Sequence, residues 1–221
     1  AYLLSKICKE INFPKGVLNI IHGRGEKLGD ALTTHQDVPI VSFTGGSHTG
    51  KHISKVTAPY FKKLSLELGG KNPNIIFDDC DFDKAVSTAS RAAFTNQGQI
   101  CLCGSRVFVQ NKIYEKFKSA LVDKAKKLIV GDPKNSNSHL GAVVSEEHMN
   151  KILLKINEAK KLGGILLCGG ERLILEGELK NGYYIQPTVF ENLAYDCSIN
   201  NEEIFGPVVT LIPFESEDDV I

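Results

Sequence analysis

The sequence has no excess of charge of either sign. Lys plus Arg and Asp plus Glu number 26 each, so the formal net charge is zero. That balance leaves no electrostatic footprint for nucleic acid or an anionic membrane surface. Long apolar runs are also missing: VFVQ and PVVTLIPF are strand-sized, far short of a bilayer span. The opening AYLLSKICKE lacks the basic start, long apolar core and small-residue cleavage site of a secretory leader. No Asn-x-Ser/Thr glycosylation signal, internal repeat or low-complexity tract occurs. The expectation is a cytoplasmic protein with reduced thiols, no nucleic-acid partner and no membrane partner.

What is present is ordinary for a globular chain: 221 residues, 42% apolar and 24% charged. That length buries a real core, so the six cysteines at 8, 80, 101, 103, 168 and 197 are not needed as staples. The chain starts with Ala inside a helical pattern and stops at SEDDVI, which reads as a first helical turn capped by Ser216. Both ends cutting through structure predicts a piece of a longer protein.

Periodicity alternates between two and 3.6 residues along the chain. A helix is expected over residues 2–11. Strands are expected at VLNII (17–21), VPIVSF (38–43), KKLSLELGG (62–70) and NPNIIF (72–77), with a short helix over 50–58. Asp81 and Ser145 are placed to cap helices, and GILLC, YYIQPTVF and PVVTLIPF read as later strands. Such alternation predicts βαβ units and a largely parallel sheet. A composition change near LELGGKNP marks a domain junction.

Three glycine-rich segments compete for a role. HGRGEKLG spaces Gly23, Gly25 and Gly29 one residue too long for the dinucleotide fingerprint, and a tight strand-to-helix turn explains it equally well. FTGGSHTGKH fits the phosphate loop at Gly45, Gly50 and Lys51, but His52 stands where a hydroxyl must ligate Mg²⁺. What survives is a glycine-rich turn opening a helix, suited to a pyrophosphate. In LELGGKNP, Glu67 precedes Gly69-Gly70 in an apolar strand. It is either a carboxylate bonded to backbone amides or a general base with a raised pKa.

NQGQICLCGSR (96–106) sets Cys101 and Cys103 two apart with no histidine nearby. Metal binding needs two further ligands at suitable spacing, and a disulfide across one residue is strained. Two readings stay open: a reactive thiol in a turn whose N–H can face an oxyanion, or two small buried hydrophobes at a helix–strand junction.

FTGGSHTG, LELGGKNPNII, FTNQGQICLCGSRVFVQ, GYYIQPTVF and EEIFGPVV together, in this order, resemble the aldehyde dehydrogenase superfamily over nearly the whole chain. QICLC, CGGER and EEIFGPVVTLIPF are most similar to the branch acting on 2-aminomuconate and 2-hydroxymuconate semialdehydes. The resemblance implies an α/β, parallel-sheet fold. Residues 1–69 would be the later part of a Rossmann-like cofactor domain and 70–221 a catalytic domain truncated at its C-terminal end. It implies Cys101 as nucleophile, Glu67 as the base that activates water, and oxidation of an aldehyde to a carboxylic acid with NAD, NADP remaining open. Gly45, Gly46 and Ser47 would lie at the pyrophosphate, Leu68 and Gly69 beside the nicotinamide, and Glu203 and Phe205 at its ribose and ring. Cys103 would line the substrate pocket, and the full-length protein would be a homo-oligomer. Gly46 departs from the serine of many relatives. A non-catalytic relative acting by binding, and a phosphate-loop nucleotidase, are the readings to be tested against this one.

Overall fold

A computed structural model describes residues 1–221, which form two compact units, Ala1–Leu68 and Gly69–Ile221. In the first unit, helix α1 (Tyr2–Glu10) leads through an irregular stretch to α2 (Gly25–Thr33), β1 (Ile40–Gly45), α3 (Ser47–Thr57) and β2 (Lys63–Leu68). Strands β1 and β2 pair in parallel across the α3 crossover, with Thr44 opposite Glu67 and Gly45 opposite Leu68.

VLNII does not form a strand. It joins neither edge of the β1–β2 pair, and a strand without a ladder partner leaves its backbone groups unmatched. Residues 17–21 run irregularly instead, with Val17 and Ile21 exposed at 67% and 65%. The glycine-rich turn is also tighter than the sequence suggested. Gly46 is the N-cap and α3 begins at Ser47, so Gly50 lies inside the helix, where an added Cβ would stand 2.6 Å from Leu68 Cδ2. A phosphate loop keeps that glycine ahead of the helix, so the nucleotidase reading loses its geometry here.

The second unit is built on a five-stranded sheet. Its elements are β3 (Pro73–Ile76), α4 (Phe82–Phe94), β4 (Arg106–Gln110), α5 (Asn111–Lys126), α6 (Glu146–Lys161), β5 (Ile165–Cys168), β6 (Arg172–Leu173), β7 (Tyr184–Ile185), β8 (Thr188–Glu191), α7 (Ser198–Asn201) and β9 (Val208–Phe214). The order is β3-β4-β9-β8-β5, parallel except for β5 on the edge. Asp81 Oδ1 accepts the Lys84 N–H and Ser145 Oγ the His148 N–H, so both caps sit where the sequence placed them.

Alternation along the strands divides the interior. Val107, Val109, Val189, Val209 and Leu211 join Phe94 of α4 and Phe117 and Leu121 of α5 in one core. Phe190 and Val208 join Met149, Ile152 and Ile156 of α6 in a second. Period-two strands between helices on both faces produce this two-core layout. YYIQPTVF is two strands rather than one. Pro187 has no N–H to continue a ladder, so β7 pairs with β6 in a separate two-stranded ribbon while β8 joins the main sheet. No helix is long and apolar enough to cross a membrane.

Candidate active site

Cys101 is exposed, at the centre of a turn that the Cys103 N–H closes onto the Ile100 carbonyl at 3.0 Å. Such a turn does not use the N–H groups of its two central residues, Cys101 and Leu102. The Asn72 amide spans the turn, donating to the Cys101 carbonyl at 2.7 Å and to the Cys103 carbonyl at 3.2 Å. Asn72 also accepts the Arg106 N–H on its own carbonyl, so the start of β4 and the thiol turn share one anchor.

Upstream, Asn96, Gln97 and Gly98 are all left-handed, with φ of 52°, 57° and 70°. Consecutive αL residues are costly for side-chain-bearing positions. Gln97 is held by a two-way clamp: its Nε2 donates to the Ala142 carbonyl and its Oε1 accepts the Gly141 N–H. Gly98 must be glycine, because a Cβ there would lie 2.1 Å from the Gly206 carbonyl oxygen.

Cys103 points the other way. It is buried and lines a cavity of about 10 Å³ with Lys71, Ser105, Glu203 and Phe205, room for one water. Burial pushes its thiol up, favouring the protonated form. The two cysteines thus occupy different environments, and all six thiols of the chain are free.

Glu203 is half-buried. Burial pushes its carboxyl above the usual range, and the Gly70 N–H, the Lys71 ammonium and His148 pull the other way. The carboxylate rests on Gly69, where an added Cβ would fall 1.7 Å from Glu203 Oε2. The obstacle would be the end of a flexible side chain, so Gly69→Ala is expected to leave stability within about 1 kcal/mol. It would dislodge Glu203 from the Gly70 N–H, so hydrogen exchange at that amide should accelerate about tenfold. Paired thermal melts and amide exchange check both halves.

Lys71 sits behind this carboxylate, with its Nζ buried and without a hydrogen-bond partner. Burial first, then the Arg106 charge, lowers its pKa from 10.5 to about 8. Below pH 8 folded and unfolded chains both hold the proton, and the buried ammonium costs the fold its full penalty. Between 8 and 10.5 the unfolded chain keeps the proton that the folded one releases, so stability rises with pH by about 3 kcal/mol in all. The expected result is that Lys71→Met is most favourable relative to the parent near pH 7, and that this advantage shrinks toward pH 10.5. Urea midpoints of both proteins across that range test the sign.

The remaining expected site residues lie in the first unit. Gly46 caps α3 and Ser47 is its first residue, directly after Gly45 at the end of β1. An added Cβ on Gly46 would meet nothing within 4 Å, so the helix N-terminus opens onto free space. Glu67 and Leu68 end β2, with Glu67 exposed rather than enclosed in an apolar strand. Within the second unit, Gly69, Cys103, Glu203 and Phe205 are brought together, with Cys101 on the adjoining turn. Lys71, Asn72, Gln97 and His148 were missed as site residues. GGKNP and NQGQ carry the first three in plain view, but nothing local says that an amide will reach a turn 29 residues away.

The aldehyde dehydrogenase family model matches residues 1–221. The human 2-aminomuconic semialdehyde dehydrogenase is 41% identical over 223 residues, covering 100% of this chain and 46% of that protein. The mouse protein named "Aldehyde dehydrogenase, cytosolic 1" is 44% identical over 219 residues, covering 99% of this chain and 43% of that one. The crystal structure of betaine aldehyde dehydrogenase from Staphylococcus aureus in complex with NAD⁺ superposes with a TM-score of 0.94 at 44% identity, over 98% of this chain and 43% of that one. The α/β fold with parallel strands and the thiol-bearing turn therefore place the molecule: the chain belongs to the aldehyde dehydrogenase family. It spans a little under half the length of the curated relatives it matches.

Proposed function

We propose that the protein carrying this chain oxidises an aldehyde to a carboxylic acid with NAD⁺, using Cys101 as nucleophile. The observation that carries the reading is an exposed thiol at the tip of a turn clamped by Asn72, in a chain of this family. The Cys101 thiolate adds to the aldehyde carbon, forming a C–S bond, and the new alkoxide lies within reach of the N–H groups the turn leaves unused. Bound NAD⁺ supplies the hydride acceptor, and the product left on Cys101 is a thioester. Glu67, exposed at the end of β2, takes the proton of the water that hydrolyses it, returning the thiol and releasing the acid.

The residues present suit a dinucleotide. Gly46 opens the N-terminus of α3 with no side chain in the way, leaving helix N–H groups for a pyrophosphate between Gly45 and Ser47. Glu203, seated on Gly69, offers a carboxylate to ribose hydroxyls, with Phe205 beside it and Leu68 assigned to the nicotinamide. The NAD⁺ in the Staphylococcus aureus structure supports this choice over NADP⁺.

The substrate class proposed is a muconic semialdehyde, supported by QICLC and CGGER and by the human relative. Cytoplasmic placement is supported by the free thiols and by the mouse relative named cytosolic. Aldehyde-dependent NADH formation by the complete polypeptide tests the function, with muconic semialdehydes set beside simple aliphatic aldehydes. Turnover with any aldehyde supports the reaction, and preference for the semialdehydes supports the substrate class. Absence of turnover, or binding of ATP in preference to NAD⁺, overturns it.

A further inference from the structure

Phe205 has φ of +55°, a conformation that a bulky residue holds only when its surroundings impose it. Its carbonyl oxygen lies 2.7 Å from His148 Nε2. A carbonyl only accepts, so His148 Nε2 is the donor. The imidazole also meets the Phe205 ring edge-on, with centroids 6.0 Å apart at 66°. Both contacts come from one side chain in the first turn of α6.

That turn is firmly seated. Its N-cap Ser145 accepts the His148 N–H, and Met149, Ile152 and Ile156 on the inner face are at most 2% exposed. Just before it, Gly141 and Ala142 take the two hydrogen bonds of Gln97. Residues 141–148 thus touch the loop leading to Cys101 at one end and the loop carrying Glu203 and Phe205 at the other. Glu203 is two residues before the pinned carbonyl, and Gly206, one residue after it, is the group packed against Gly98. A shift of the Phe205 carbonyl therefore moves both neighbours.

We propose that His148 is a positioning residue: by pinning the strained Phe205 carbonyl, it holds the Glu203–Phe205 loop in the shape that receives the nucleotide's ribose. The nucleotide half of this rests on the function proposed above; the loop half rests on the geometry alone. A glutamine reaches similarly with an N–H donor, whereas leucine fills the space with none.

The test uses the complete polypeptide as parent, His148→Gln and His148→Leu. Amide hydrogen exchange over residues 203–206 is read without cofactor, and KM and kcat for NAD⁺ with aldehyde in excess. In His148→Leu, exchange is expected to accelerate about tenfold and the KM for NAD⁺ to rise about tenfold, with kcat changed less than about threefold. His148→Gln is expected to restore both to within about threefold of the parent, which a purely space-filling role would not do. Unchanged exchange in His148→Leu, or a glutamine variant as impaired as the leucine one, overturns the proposal. Faster exchange with unaltered KM overturns its nucleotide half. A parent that oxidises no aldehyde counts against the proposed function instead, and the exchange data still decide whether His148 holds the loop.

Discussion

Cys101→Ser is expected to lower aldehyde oxidation by at least about 10³-fold, while Cys103→Ser leaves it within about threefold. The two residues differ by only two positions, so the contrast isolates environment from neighbourhood. Cys101 is exposed on a turn, where its sulfur meets solvent and the central N–H groups are unused. A serine hydroxyl there is far harder to deprotonate and forms an ester less prone to hydrolysis than a thioester. Cys103 is buried in the cavity behind Glu203, with burial holding its proton on. Serine loses little volume at that position, and its hydroxyl gains a possible partner in a cavity of water size. Steady-state rates of both variants, with matched thermal midpoints as a control, decide the matter. Equal losses from the two would sink the assignment of Cys101.

Gly98→Ala is expected to cost at least about 3 kcal/mol, or roughly 6–12 °C in thermal midpoint. Two penalties add. The left-handed φ of +70° costs a side-chain-bearing residue about 1–2 kcal/mol. The new Cβ would stand 2.1 Å from the Gly206 oxygen and 2.5 Å from its carbonyl carbon, which are backbone atoms and cannot rotate away. Relief requires the Glu203–Gly206 loop or the thiol loop to move, so activity should fall with stability. Gly163→Ala is the control: φ is +88°, but an added Cβ meets nothing within 4 Å. It should show the conformational penalty alone, a drop of about 2–8 °C. Indistinguishable melts for the two alanine variants would show that the close approach to Gly206 decides nothing.

Local chemistry was readable wherever a residue acts on its own segment. Asp81 and Ser145 cap their helices through N–H groups three residues on, and β4 and β9 follow from runs of β-branched and aliphatic residues. It failed where the outcome depends on a partner elsewhere. VLNII has strand composition, yet β1 and β2 pair with each other and residues 17–21 stay irregular. TGGSHTGKH reads like a phosphate loop until the helix begins at Ser47 and places Gly50 beneath Leu68. YYIQPTVF reads as one strand, but Pro187 separates two that join different sheets.

What the sequence determined by itself is therefore a set of segments: α4 and α6 with their caps, strands β4 and β9, the glycine-rich start of α3 and a thiol between glycines. Each depends on interactions a few residues long, which composition and spacing encode directly. Which cysteine faces solvent, which carboxylate is half-buried and which lysine lies unpaired behind it were decided only by the tertiary structure. Asn72 reaches Cys101, Gln97 reaches Ala142 and His148 reaches Phe205 across 29, 45 and 57 residues. Contacts of that length depend on how helices and strands stack, and burial shifts a thiol or an ammonium only after that stacking has removed the water.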